Sequence, residues 1–321
     1  MLELLKKVLK PVAPSGLEEP VAAVIREEVA PYVDSIETDA LGNLICVKNG
    51  TEANPERIML SAHMDHIGYI VTGIEKEGFL RMTNVGGISP TMSLTRHVSF
   101  PNGVQGVVVS EVSKDTAMKD LFVDIGAQDK ADAETMVQIG DVCVYANDCF
   151  QLGANRVASP AMDDRAACAL LIRFLQTVGA TKQTIIAVFS VQEEVGCRGG
   201  KTTAYGINPD MAVAIDVCHG ITPDNSDNAF EVGTGTVLSV GPNLHPKLTD
   251  ELFAVSKRHG IKVSTDVDGG NTGTDAWEIQ VACDGVPTAL ISIPLKYMHT
   301  SVETLAVSDV KATVNLLNEF I

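Results

Sequence analysis

Histidines and carboxylates recur in this chain directly after apolar runs. Arg57 to Ala62 leads into His63-Met64-Asp65-His66, Thr184 to Val191 leads into Glu193-Glu194, and Met211 to Ile215 ends on Asp216. His299 follows the run Val286 to Ile293 by a few residues, and Asp163-Asp164 stands just before a helix-like segment. If the runs are strands of one open α/β sheet, these residues collect at its carboxyl edge, where such sheets bind ligands. So many carboxylates in one place repel one another unless cations lie among them. Two divalent metals would pull the carboxylates down in pKa and keep the imidazoles neutral. Mixed His and carboxylate donors suit Zn²⁺ or Co²⁺, with Mn²⁺ also compatible, and the lack of Cys at these positions argues against a structural zinc. Two such ions about 3.5–4 Å apart can hold one hydroxide and polarise a carbonyl.

The elements that must position these residues follow from periodicity. Leu2, Leu5, Val8 and Leu9 share a helical face, and Ser15-Gly16-Leu17-Glu18 has the capping-box pattern of a second helix running toward Val29. Asp39 to Asn43 forms a turn between two short strands. Asp164 to Val178 is an amphipathic helix, Leu248 to His259 another, and Ser308 to Phe320 a third. From about Ile67 to Ala158 the texture changes to short β-rich runs (Val104 to Val109, Leu121 to Ile125, Asp141 to Ala146) with Gly- and Asn-rich turns. The expected fold is therefore α/β: a three-layer, mixed-sheet domain of residues 1–67 and 159–321, carrying a small inserted all-β domain at 68–158.

Composition narrows the function. With 24 Lys+Arg against 41 Asp+Glu, the 321 residues carry a formal charge of −17. Nucleic-acid binding, which needs clustered basic residues, is not expected. No apolar run is long enough for a membrane helix, and Met1-Leu2-Glu3 does not open a signal peptide. Seven Cys without a C-x-x-C pair fit reduced thiols in a cytoplasm.

Taken in order, His63-Met64-Asp65, Met162-Asp163-Asp164-Arg165, Val191-Gln192-Glu193-Glu194-Val195-Gly196, Ala214-Ile215-Asp216, Gly273-Thr274-Asp275-Ala276 and Tyr297-Met298-His299 resemble the glutamyl aminopeptidase, or tetrahedral (TET) aminopeptidase, family of two-metal peptidases. The resemblance runs over nearly the whole chain, and the β insertion lies where that family carries its dimerisation domain. It implies that Asp163 bridges two metals, that His63 and Asp216 complete one site, and that Glu194 and His299 complete the other. It further implies that Glu193 is the general base, that Asp65 hydrogen-bonds the outer nitrogen of His63, and that the Asp163-Asp164 peptide is cis. The implied substrates are short peptides with a free N-terminus, and the implied assembly is a dimer-built dodecamer. His66, Lys296 and Thr300 depart from the family's usual Glu, Arg and Ser, and are expected near the substrate pocket, where they would tune specificity.

Other functions compete. Gly196-Cys197-Arg198-Gly199-Gly200-Lys201-Thr202 follows a strand like a phosphate-binding loop, but is one residue short between its outer glycines. A carboxypeptidase or N-acyl amino-acid deacylase would use the same scaffold, and a scaffold protein without activity would need no intact ligand set. Taken singly, each feature also has an ordinary explanation. Asp163-Asp164 could cap a helix, and Glu-Glu pairs are mostly solvated. His97, His219, His245 and His259 read as structural, and Cys197 and Cys218 as packing or supporting residues rather than nucleophiles.

Overall fold

The computed structural model describes residues 1–111 and 116–321. Its main sheet has eight strands in the spatial order Ser35–Thr38, Leu44–Lys48, Thr184–Ser190, Arg57–His63, Met211–His219, Thr288–Leu295, Thr236–Val240, Val263–Val267. The four strands from Thr184–Ser190 to Thr288–Leu295 run parallel. They are covered on both faces, which is why they read as continuous apolar runs rather than alternating ones. Their carboxyl ends therefore share one edge. Helices Met162–Thr177 and Val307–Phe320 pack against one face, Arg198–Ile207 and Asp275–Ile279 against the other, giving the expected three layers.

Beyond His63 the chain builds a closed antiparallel barrel from Gly68–Ile74, Leu80–Val85, His97–Ser99, Gln105–Ser110, Leu121–Asp124 and Val142–Tyr145. The barrel has its own core, in which the Tyr69 hydroxyl donates to Ser93 Oγ at 2.6 Å. Two short helices, Pro90–Ser93 and Lys130–Met136, lie between its strands. The sequence does signal the second: Asp129 caps it, accepting from the Asp132 amide at 2.9 Å. The expected insertion 68–158 also includes residues 112–115, which lie outside the described residues.

The chain returns through a small antiparallel sheet of Phe150–Leu152, Arg156–Ala158 and Thr304–Ala306. This sheet ties the start of the Met162–Thr177 helix to the segment following His299. Arg165, fully buried on that helix, ties in the N-terminal segment. Its guanidinium donates to the carbonyls of Val8 (3.2 Å), Pro11 (2.6 Å), Ala13 (3.0 Å) and Met64 (3.1 Å). Carbonyl oxygens thus meet its donors where no carboxylate does.

Two local expectations differ from the structure. Ser15 and Glu18 do not form a capping box, and the Glu19–Val29 helix has no side-chain cap. Ser15 Oγ instead donates to Asp65 at 2.6 Å, and Glu18 accepts from the amides of Gly16 (2.8 Å) and Gln192 (3.1 Å). The strand expected from Val286 runs from Thr288 to Leu295, because Pro287 offers no amide to the ladder.

Candidate metal centre

The carboxyl edge of the sheet brings together His63, Asp163, Glu193, Glu194, Asp216 and His299, all lining one cavity of about 700 Å³. Strand ends deliver His63 and Asp216, and the turn after Ser190 delivers Glu193 and Glu194. Asp163 and Asp164 open the Met162–Thr177 helix with non-helical backbone angles, and the peptide bond between them is cis.

Asp163 is the pivot of this arrangement. Its Oδ1 lies 3.2 Å from His63 Nε2, and its Oδ2 lies 3.4 Å from His299 Nε2. One carboxylate thus presents one oxygen to each imidazole. His299 Nε2 is also 3.3 Å from Glu194 Oε2, and His63 Nε2 is 4.0 Å from both Asp216 and Glu193. Two groups of donor atoms fall within 4.8 Å of one another: Asp163, Glu194 and His299, and His63, Asp164 and Asp216. Asp164, expected only as a neighbour of the bridge, therefore adds a carboxylate beside His63.

The protonation pattern is that of a site arranged for cations. Burial holds Asp164 and Asp216 well above the usual carboxylate range, and raises Glu193 to about 8 against the pull of His63. For His299 burial acts downward, yet Asp163 and Glu194 outweigh it and lift the ring to about 11. Burial lowers His63 as well, and Asp163 and Asp65 again prevail. Without metal, the neighbouring carboxylates favour the protonated form of both imidazoles. Asp164 Oδ1 and Glu194 Oε1 are buried with no hydrogen-bond partner, an expensive state that a cation relieves. The oxygen and nitrogen donors present fit divalent metal ions.

Asp65 faces His63 Nδ1 with two oxygens, its main-chain carbonyl at 3.1 Å and its carboxylate at 3.5 Å. The carboxylate accepts from the amides of Glu193 (3.0 Å) and Glu194 (3.2 Å) as well as from Ser15. It shapes the turn that carries both glutamates.

Glu303, which sequence reasoning missed, plays the same part on the other side. Only 2% exposed, it accepts from the amides of His299 (2.8 Å) and Asp163 (3.1 Å). Its one sequence signal is an acid next to the apolar strand Thr304–Ala306. With Glu18 on Gln192, buried carboxylates outside the centre hold the main chain of each loop that enters it. Cys197 also contributes: its thiol donates to Glu193 Oε1 at 3.0 Å, leaving Oε2 toward His63. Asp275, from the Gly273–Ala276 motif, sits beneath the centre, accepting from Ser61 (2.9 Å) and Ser190 (2.6 Å).

His219 lines the cavity from an exposed position, unlike its structural reading, whereas His97, His245 and His259 lie elsewhere. His66, Lys296 and Thr300, expected near the substrate pocket, do not line it. His66 is buried with Nε2 unpartnered, Lys296 exchanges main-chain bonds with Thr304, and Thr300 Oγ1 closes a turn onto the Tyr297 carbonyl at 2.6 Å. His66 and Thr300 are buried in the chain packing.

The segment 196–202 has no phosphate cradle. A Cβ on Gly199 would lie 2.5 Å from the Val191 amide, and one on Gly200 would lie 2.5 Å from the Asp275 carboxylate. These glycines serve close packing of the Arg198–Ile207 helix.

Comparison with known proteins agrees with the geometry. The chain is 39% identical to a putative aminopeptidase of Acetivibrio thermocellus, covering 100% of this chain and 98% of the relative. It is 33% identical to a lysyl aminopeptidase of Pyrococcus furiosus, covering 98% and 94%. Among solved structures, the TET1 peptidase of Pyrococcus horikoshii, which assembles into a tetrahedron or a large octahedral shell, superposes with a TM-score of 0.87 at 32% identity, covering 99% of this chain and 98% of that one. The family model for M42 glutamyl aminopeptidase matches residues 42–316, and the chain belongs to that family of metallopeptidases.

Proposed function

We propose that this enzyme removes the N-terminal residue from short peptides at a pair of divalent metal ions, Zn²⁺ or Co²⁺ or else Mn²⁺. His63, Asp163 and Asp216 would hold one ion, and Asp163, Glu194 and His299 the other. The observation that carries this is the Asp163 carboxylate with one oxygen against each imidazole. When bound, the two ions acidify the attacking water and polarise the scissile carbonyl. Glu193 Oε2 takes the proton from that water and returns it to the leaving amine, while Cys197 keeps Oε1 occupied. Asp65 holds Glu193 and Glu194 at their amides, and Glu303 does so for Asp163 and His299.

A free α-amine on the substrate separates this function from a carboxypeptidase or deacylase. The insertion 68–158, which contains the barrel, is proposed as the dimerisation module of a larger shell; a dodecamer is the expected form, as a TET1 structure is a dodecamer and the TET1 peptidase assembles into a tetrahedron or octahedral shell. A cytoplasmic location fits seven unpaired cysteines. Among the described residues no helix is long and apolar enough to cross a membrane.

The test uses protein loaded with each metal, assayed on aminoacyl p-nitroanilides and on their N-acetylated forms. Hydrolysis of the free-amine substrates alone is expected. Glu193→Gln should retain its metal while kcat falls by about 10²–10⁴. Cleavage of acetylated substrates, or an active Glu193→Gln enzyme, overturns the proposal. The family's title names a glutamyl activity and the Pyrococcus furiosus relative a lysyl one, so membership does not choose the N-terminal residue.

A further inference from the structure

We propose that the cavity selects peptides beginning with Lys or Arg, whose cationic end meets Asp266 and Asp268. This rests on the aminopeptidase function proposed for the same cavity.

The sheet itself sets the placement. Asp216 pairs with Ser292, Ser292 pairs with Val237, and Ser239, two residues on from Val237, pairs with Asp266. Paired residues and alternate residues share a face, so Asp216 and Asp266 rise from the same side of the sheet. Both line the cavity, as do Leu290 and Ser292 on the strand beside Asp216. Three strand spacings separate Met211–His219 from Val263–Val267, about 14 Å at the usual interval. With a scissile carbonyl at the metal centre, an N-terminal side chain directed along this face needs a long stem to reach Asp266. Leu290 supplies an apolar wall for such a stem, and long basic side chains cover apolar surface while carrying charge at the tip.

Charge selects the tip. Apart from the proposed centre, the charged residues in the lining are Asp266 and Asp268, and the lining contains no Lys or Arg. Its remaining imidazole, His219, stands at an exposed position. Among the described residues, neither aspartate has a Lys, Arg or His nitrogen within 4.0 Å of its carboxylate. Asp266 accepts from its neighbour's amide, Val267 N, at 2.9 Å. Burial and the adjacent Asp266 together push Asp268 up, against the lowering pull of the Ser239 hydroxyl. An acidic N-terminal residue would add a further like charge there, and a short one would leave the pair unanswered. A lysine ammonium or arginine guanidinium satisfies both carboxylates with charge-assisted hydrogen bonds.

The test compares kcat/KM of the metal-loaded, full-length enzyme for Lys, Arg, Leu and Glu p-nitroanilides at low and high salt. The expected advantage of Lys and Arg over Leu is about ten- to hundredfold, the worth of a charge-assisted contact. It should reside in KM, shrink with salt, and leave Glu as the poorest substrate. In the double variant Asp266→Asn/Asp268→Asn the Lys-to-Leu ratio should collapse toward one. Faster turnover of Leu or Glu, or a double variant that keeps the ratio, overturns the inference while leaving the aminopeptidase intact. A third equivalent of bound metal that this variant loses overturns it as well, because an ion would then occupy the pair. Failure to cleave any of the amides overturns the aminopeptidase function, and the inference with it.

Discussion

Asp65→Asn tests whether this carboxylate acts through His63 or through the turn carrying the two glutamates. Asn preserves the shape and the main-chain carbonyl that lies 3.1 Å from His63 Nδ1, so the imidazole keeps its nearer partner. The carboxylate, however, accepts three bonds: from Glu193 N at 3.0 Å, Glu194 N at 3.2 Å and Ser15 Oγ at 2.6 Å. An amide has one acceptor oxygen. Placed on the Ser15 side, its nitrogen can donate to the hydroxyl, which turns round, but the Glu194 amide then faces another donor. A part-buried N–H left without an acceptor costs about 1–3 kcal/mol, and Asp65→Ala, which strands both amides, about 2–6 kcal/mol. Urea unfolding of the metal-free protein reads the stability, and metal titration with single-turnover kinetics reads the centre. Asp65→Asn should unfold earlier, still bind metal through His63, and lose rate because Glu193 and Glu194 are no longer held. Wild-type stability together with loss of one equivalent of metal would falsify this account and restore the carboxylate as the orienter of His63.

Further outcomes follow from the other contacts. Glu303→Gln keeps one acceptor for the two amides of His299 and Asp163, so unfolding should cost about 1–3 kcal/mol and metal affinity should weaken; unchanged values in both titrations would remove Glu303 as a positioning residue. Cys197→Ser retains a donor to Glu193 Oε1, whereas Cys197→Ala does not. The pH–rate profile should therefore shift in the Ala variant and be largely recovered in Ser, and identical profiles would exclude the thiol contact. Metal loading near pH 7.5 should release protons, because both imidazoles are held above their ordinary pKa without metal, burial holds the Asp216 and Glu194 carboxyls up as well, and each must be deprotonated to ligate. Affinity consequently falls as pH is lowered. Binding heats that do not vary with the ionisation enthalpy of the buffer would contradict this.

His63, Asp216 and the Glu193-Glu194 pair were legible because each ends or follows an apolar run, and strand ends in such a sheet converge. The three-layer order was legible for the same reason: buried parallel strands leave unbroken apolar stretches in the sequence. What held those residues in place was not. Glu303 reaches the Asp163 amide across 140 positions, Asp65 reaches Glu193 across 128, and Glu18 reaches Gln192 across 174. Bonds from a side chain to a distant main-chain amide create no periodicity and demand no particular residue at the amide end. Ser15 and Glu18 show how a local pattern misleads. Their spacing fits a capping box, but tertiary partners take the very oxygens the cap would use. His66 and Thr300 lie outside the cavity lining for a related reason: nearness in sequence to a ligand does not set which way a side chain points.

The barrel also bears on the order in which this chain can assemble. Arg165 joins Val8, Pro11 and Ala13 across the whole insertion, and Arg57–His63 meets its parallel neighbours at Thr184–Ser190 and Met211–His219. Those contacts carry the entropy of a very long loop, whereas among the described residues the barrel's own pairings lie between residues 68 and 145. A barrel that closes first brings its two ends together and leaves the outer halves only a short gap to bridge. The module that interrupts the sheet is in this sense its folding clamp, and lesions in the barrel core around Tyr69 should slow formation of the metal centre without touching any residue in it.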